Sequence, residues 1–254
     1  MRVARVLAVL VAVARSACFG QETDSLALEK LRQESGVDPT RVQSRAGYTF
    51  LVFDRAGPDG QIVNRASLNV AVARWNFGMK YEAITQTTEA GTGFQSSFGD
   101  IRFSVLNAFW VSGKHALAGS VEFSMPTAKP TFGVPYFSAT PAITYSYTVT
   151  PSLFLAFQPQ YTFALLKDPE FPDLRVLTLR MFVAKFAKTG YFFVFEPRPV
   201  YDITADRFDL IFSPIVGKAL GAGFNLIGLV EIPANSFTRD TRGMLYQFGF
   251  NKNF

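Results

Sequence analysis

Charged residues placed inside otherwise oily segments are the first candidates for chemistry: Lys80, Glu82, Arg102, Glu122, Arg180, Glu196, Arg198, Asp209 and Glu231. In an extended chain successive side chains point to opposite faces, and these residues share a face with Ser, Thr, Gln and small side chains rather than with Phe, Leu and Val. Both signs occur in similar number. Confined charges are costly unless paired, which predicts an interior network of ion pairs and hydrogen bonds that plugs the space they face. Arranged around an open path, the same groups would form a polar constriction that selects what passes.

Other constellations are thin. The single histidine, His115, follows the tight turn Ser112-Gly113-Lys114. A lipid hydrolase would need such a histidine beside a serine nucleophile or a metal-bound water. One histidine and one cysteine exclude a His/Cys metal centre, so no metal and no cofactor is expected. Gly91-Thr92-Gly93 has no helix after it to complete a phosphate loop, so its glycines serve flexibility. No nucleic-acid module appears. The formal charge of +5 includes Arg2, Arg5 and Arg15 of the N-terminal leader, and the remaining charge of about +2 forms no basic stripe.

The elements that position these residues follow from hydropathy. Hydrophobic residues make up 48% of the chain, yet beyond the N-terminus no apolar run approaches the roughly 18 residues of a membrane helix. Instead, period-two alternation begins at Gly47. Leu117, Gly119, Val121, Phe123 and Met125 oppose Ala118, Ser120, Glu122 and Ser124, and Ile143, Tyr145, Tyr147 and Val149 oppose Thr144, Ser146 and Thr148. Such segments predict strands over 46–54, 65–74, 76–86, 98–111, 115–126, 136–149, 152–165, 174–187, 190–201, 206–218, 222–233 and 241–254.

Long polar connections at 55–64, 87–97 and 127–135 alternate with tight ones at 112–114, 150–151 and 220–221. The expected fold is all-β: a transmembrane antiparallel up-and-down barrel of about 12 strands over residues 46–254, with short periplasmic turns and long external loops. A soluble sandwich also alternates, but it rarely keeps strands this long throughout.

The two ends of the chain support export to the outer membrane. Arg2 and Arg5, the apolar stretch Val6–Ala14 and small residues up to Gly20 form the layout of a signal peptide, with cleavage expected after Gly20. Cys18 sits where a lipoprotein would carry its acylated cysteine, but Arg15 stands where an aliphatic residue is usual. Residues 21–45 read as a periplasmic arm with a short helix, capped by Asp24 and stopped by Gly36 and Pro39. At the other end Tyr246, Phe248, Phe250 and Phe254 lie on one face of the last strand, opposite Gln247, Gly249, Asn251 and Asn253. This pattern resembles the signal read by the barrel-assembly machinery. Lys252 departs from it, and a lysine there is expected to snorkel to the headgroups.

Phe98-Gly99-Asp100-Ile101-Arg102, Val121-Glu122-Phe123-Ser124-Met125-Pro126-Thr127 and Gln158-Pro159-Gln160-Tyr161 resemble segments of the barrel family labelled MetA-pathway phenol-degradation proteins. The resemblance runs loosely from about residue 47 to the end. It implies a non-enzymatic outer-membrane channel or transporter for small, hydrophobic or amphipathic molecules, with lipids and the assembly machinery as partners. Two rivals remain: a structural or adhesive barrel with a plugged lumen, and a lipid-modifying enzyme using His115. Prolines at 141, 159, 197, 199 and 214 each remove a ladder donor. Those on the strands 190–201 and 206–218 predict a lateral opening between them.

Overall fold

The computed structural model describes residues 25–54, 60–87, 93–235 and 243–254. The segment read as a signal peptide, Cys18, Asp24, Gly91, Thr92 and the first two residues of the predicted strand 241–254 lie outside this range.

After one helix, α1 (Ser25–Ser35), the described chain is almost entirely strand: β1 (Arg45–Asp54), β2 (Gln61–Val72), β3 (Trp75–Thr87), β4 (Phe94–Phe98), β5 (Ile101–Ser112), β6 (His115–Met125), β7 (Tyr136–Thr150), β8 (Leu153–Lys167), β9 (Arg175–Phe186), β10 (Tyr191–Asp202), β11 (Arg207–Gly221), β12 (Phe224–Pro233) and β13 (Met244–Asn253). All pairings are antiparallel. β4 and β5 follow one another along the same edge of β3 and share one position in the ring, which therefore has twelve. β13 closes the ring against β1 through an unbroken register from Arg45↔Asn253 to Asp54↔Met244. Closure satisfies the backbone without exposing a sheet edge, which is what a membrane requires of strands.

The division of residues 65–86 holds: β2 and β3 are joined by a two-residue turn in which Ala73 takes a φ of 53°. The segment predicted as one strand over 98–111 is broken at Gly99 and Asp100, and β4 forms in what read as the loop 87–97. A Cβ on Gly99 would lie 2.8 Å from Ile84 Cδ1 and 3.1 Å from Glu82 Cβ, so the break runs close against β3.

The two faces of the sheet differ as the alternation requires. Ile143, Phe157, Val216 and Phe248 stand exposed on the outside, whereas Thr144, Ser146, Gln158, Ser213 and Glu196 are buried inside. A soluble protein would not leave such an apolar belt in water; hydrocarbon is its proper surrounding. Tight turns gather at one end with Arg45 and Asn253, and longer connections at the other. Loop length assigns the first end to the periplasm.

Helix α1 is the short helix expected in the N-terminal arm. It lies within the barrel at the tight-turn mouth, where Leu28 and Leu31 pack against Phe154, Phe182, Phe186 and Phe192 of β8, β9 and β10. Two leucines on one face of a short helix need an apolar partner, and the inner wall provides one.

Candidate functional site

The inward residues enclose a chamber of about 740 Å³. Among the described residues its wall carries five cations, Arg65, Lys80, Arg102, Arg180 and Arg198, and two carboxylates, Glu122 and Glu231. The other carboxylates lie deeper. Glu82 receives Arg65 Nε at 2.6 Å, with Arg102 at 3.7 Å. Glu196 is fully buried and bound twice by Arg180, Nε at 2.6 Å and Nη2 at 3.0 Å, and once by Arg198 Nε at 2.8 Å. Arg198 continues to Glu231 at 2.6 Å, and Lys80 reaches Glu122 at 2.6 Å.

The arrangement is asymmetric in depth. The Glu82 and Glu196 side chains are 6% and 0% exposed, while Lys80, Arg102 and Arg180 keep 37%, 32% and 30%. The carboxylates are thus sunk into the wall and the cations stand between them and the solvent. Glu122, at 31%, is the exception. Asp209 lies apart from this chamber, beside Arg207 at 3.8 Å. Apart from Glu122, a solute in the chamber meets chiefly guanidinium and ammonium groups, and spare N–H donors on Arg102 and Lys80 face it.

Both ends of the chamber are narrowed. At the long-loop end the connection between β6 and β7 folds inward, and Phe132 packs with Leu51, Val63, Ile84 and Leu245. Asp100, freed by the strand break, holds this connection: its carboxylate accepts the Ala128 N–H at 3.1 Å and the Val134 N–H at 2.8 Å. Thr127 Oγ1 accepts the Ile101 N–H at 3.0 Å. Two of the segments that carried the family resemblance, Phe98–Arg102 and Val121–Thr127, therefore meet here, and their shared role is to pin a loop.

At the tight-turn end stands α1. Its Arg32, 2% exposed, pairs with Asp38, hydrogen-bonds Thr148 Oγ1 and lies 4.3 Å over the Phe154 ring. Thr40 Oγ1 is 3.0 Å from Ser146 Oγ. The Glu34 carbonyl, orphaned at the helix end, accepts Asn253 Nδ2 at 2.7 Å, Asn225 Nδ2 at 2.9 Å and Arg45 Nη2 at 3.3 Å. Farther round, Asn76 Nδ2 donates to the Gln43 carbonyl and the Ala71 N–H to Ser44 Oγ. The segment 28–44 thus touches the wall at β2 and β3 and from β7 through β13.

The expected lateral opening is absent. β10 and β11 pair without interruption from Tyr191↔Lys218 to Asp202↔Arg207. Pro197 and Pro199 lie on one parity of β10, so both missing donors turn to the other neighbour. Pairing with β9 stops at Phe195↔Val183 and resumes at Val200↔Thr178. The Arg180–Glu196 fork spans that gap from inside.

His115 sits on the outer surface at the tight-turn end, with Nδ1 2.7 Å from the Tyr145 hydroxyl and its ring beside Trp110 and Tyr147. It belongs to an aromatic cluster at the membrane boundary, and this geometry gives the serine–histidine reading no support. Tyr246, Phe248, Phe250 and Phe254 are exposed on the outside, with the Phe250 ring tilted against Tyr48 at 5.8 Å. Lys252 Nζ turns to the tight-turn rim, where it bonds the Ala222 carbonyl and lies 4.4 Å over Phe224.

Sequence reasoning missed Arg65, which read as the first residue of its strand, and it missed the seat of α1. A signal for the seat existed: Phe154, Phe182, Ala184, Phe186, Phe192 and Val194 put apolar side chains on the inward parity. Phe132 and the inward loop carried no comparable signal.

No family model and no curated protein sequence matches the chain. Solved structures do. A NanC porin superposes with a TM-score of 0.62 over 83% of this chain and 100% of its own, at 8% identity. A KdgM porin gives 0.58 over 83% and 99%, at 11% identity. The KdgM porin solved with disordered oligogalacturonate gives 0.54 over 84% and 99%, at 10% identity. The fold is that of outer-membrane β-barrel porins.

Proposed function

We propose that this chain is a passive outer-membrane channel for small polar solutes, with anions favoured. The observation that carries the reading is the depth ordering in the chamber, where Lys80, Arg102 and Arg180 stand forward of Glu82 and Glu196. Cations in a narrow, low-dielectric passage raise the local concentration of anions and repel cations. This wall suits polar solutes better than the hydrophobic ones that the family resemblance implies. One barrel of similar fold, the KdgM porin, was solved with an oligogalacturonate, a solute of matching charge.

The reading extends to assembly: the outward row Tyr246, Phe248, Phe250 and Phe254 would serve as the signal for the barrel-assembly machinery. The test of the channel is electrical. In planar bilayers with a salt gradient, openings of the full chain are expected to reverse at a potential of anion selectivity. Arg102→Glu with Arg180→Glu should move that reversal toward cations. A folded barrel that stays solute-tight in both bilayers and liposomes would favour the structural, plugged alternative. The enzymatic alternative requires lipid hydrolysis that His115→Ala abolishes.

A further inference from the structure

The segment 28–44 stands in the tight-turn mouth, beneath a hollow. A barrel interior that served stability alone would be packed with side chains, yet above α1 there remains the chamber of about 740 Å³. The stopper and the space above it are built differently. The chamber wall is charged, whereas the collar that grips Leu28 and Leu31 is phenylalanine, alanine and valine.

The charges of the stopper are arranged for release. Arg32 pairs with Asp38, Arg41 with Glu29 at 2.6 Å, and Lys30 with Glu34 at 3.7 Å. Each ion pair described for residues 28–41 closes within the segment itself. Its contacts with the wall are neutral: Thr148, Ser146, the amides of Asn225 and Asn253, and the Phe154 ring. The one cation from the wall, Arg45, meets a carbonyl and not a carboxylate. If the segment leaves, no carboxylate or guanidinium in the wall loses its counter-charge, and water replaces the neutral bonds. Departure of a conventional buried partner would instead strand a charge.

The segment also has a joint. Gly36 takes a φ of +70°, a conformation that L side chains rarely adopt, so glycine makes the turn between helix and wall. Residues 42–44 lead directly into β1, which ties the stopper to the rim.

From this we infer that residues 28–44 are a displaceable gate at the periplasmic mouth, a self-neutralised plug that must leave the phenylalanine collar before solute passes. The inference rests on the channel reading, and the experiment separates the two. Thr40→Cys with Ser146→Cys, in a Cys18→Ser background, places thiols where oxygens stand 3.0 Å apart and should form a disulfide lock. Leu28→Asp with Leu31→Asp puts carboxylates against the collar and should unseat the plug in the full-length chain. Folding of each variant is checked by heat-modifiable gel mobility.

In planar bilayers the oxidised lock is expected to stay shut and to recover wild-type openings on reduction. The double aspartate variant should raise open probability about tenfold or more, since two buried leucines hold the closed state. If the lock conducts equally oxidised and reduced and the aspartate variant equals wild type, the gate is overturned and the channel stands. If the folded aspartate variant is silent, the channel reading falls, and the gate with it.

Discussion

Asn253, in the last strand, donates its side-chain amide to the main-chain carbonyl of Glu34, in the first helix, at 2.7 Å. The two ends of the described chain thus meet at one oxygen, which Asn225 and Arg45 share. A helix C-terminus carries unsatisfied carbonyls and a partial negative charge; here the barrel wall caps it with two amides and a cation. Asn225→Ala with Asn253→Ala should loosen α1 by about 1 kcal/mol for each bond removed. Hydrogen exchange is the check: amides of 28–35 should exchange faster while those of β7 and β8 keep their protection. Equal loss in the strands would show that the cap supports the barrel and not the plug.

Glu196 anchors two arginines. Glu196→Gln should destabilise the barrel toward the low end of the roughly 3–5 kcal/mol seen for broken buried pairs, because Arg180 can turn to lumen water. Denaturant unfolding measures the loss. The same variant removes a negative charge and should strengthen anion selectivity in reversal-potential measurements; a shift toward cations contradicts the depth ordering.

Asp100 holds the inward loop through two backbone amides. Asp100→Ala leaves them unmatched and should free Phe132 from the long-loop mouth at a cost of about 1–3 kcal/mol. Liposome swelling with neutral sugars of increasing size should then show a larger exclusion limit. Phe132→Ala should reproduce the gain without disturbing the loop, and an unchanged limit in both variants would move the constriction elsewhere.

Phe254 is 68% exposed, and its main-chain N–H donates to the Ser44 carbonyl at 3.1 Å. Phe254→Ala keeps that bond, so refolded protein should lose no more than about 0.5 kcal/mol of stability. If the ring serves recognition during assembly, as proposed above, the folded, heat-modifiable fraction in cells should fall. A parallel fall in refolding yield in detergent would assign Phe254 to stability instead.

Most of the ring was legible because period-two alternation is a direct consequence of one face meeting lipid and the other the lumen. Ile143 and Thr144 declare their faces without knowledge of any partner. Residues that depend on what fills the lumen were not legible. Phe154 shares its parity with Gln158, and only the presence of α1 explains why an aromatic belongs there. Arg65 was hidden by its place at a predicted strand end. The prolines were noticed, but periodicity does not say toward which neighbour a missing N–H points; the register does, and it turned the expected opening into an internally bridged gap beside β9.

The closed ion pairs of the plug have one more consequence. Residues 28–41 hold Lys30, Arg32 and Arg41 against Glu29, Glu34 and Asp38, so the segment carries no net charge. An electric field does work on a moving part in proportion to that charge, about 2.3 kcal/mol per elementary charge for each 100 mV. On this segment it does almost none. Its position should therefore be indifferent to applied voltage, and single-channel records should show the same open probability at either polarity. What displaces it must act by contact, through a solute pressing from the chamber or a molecule pulling from the periplasm.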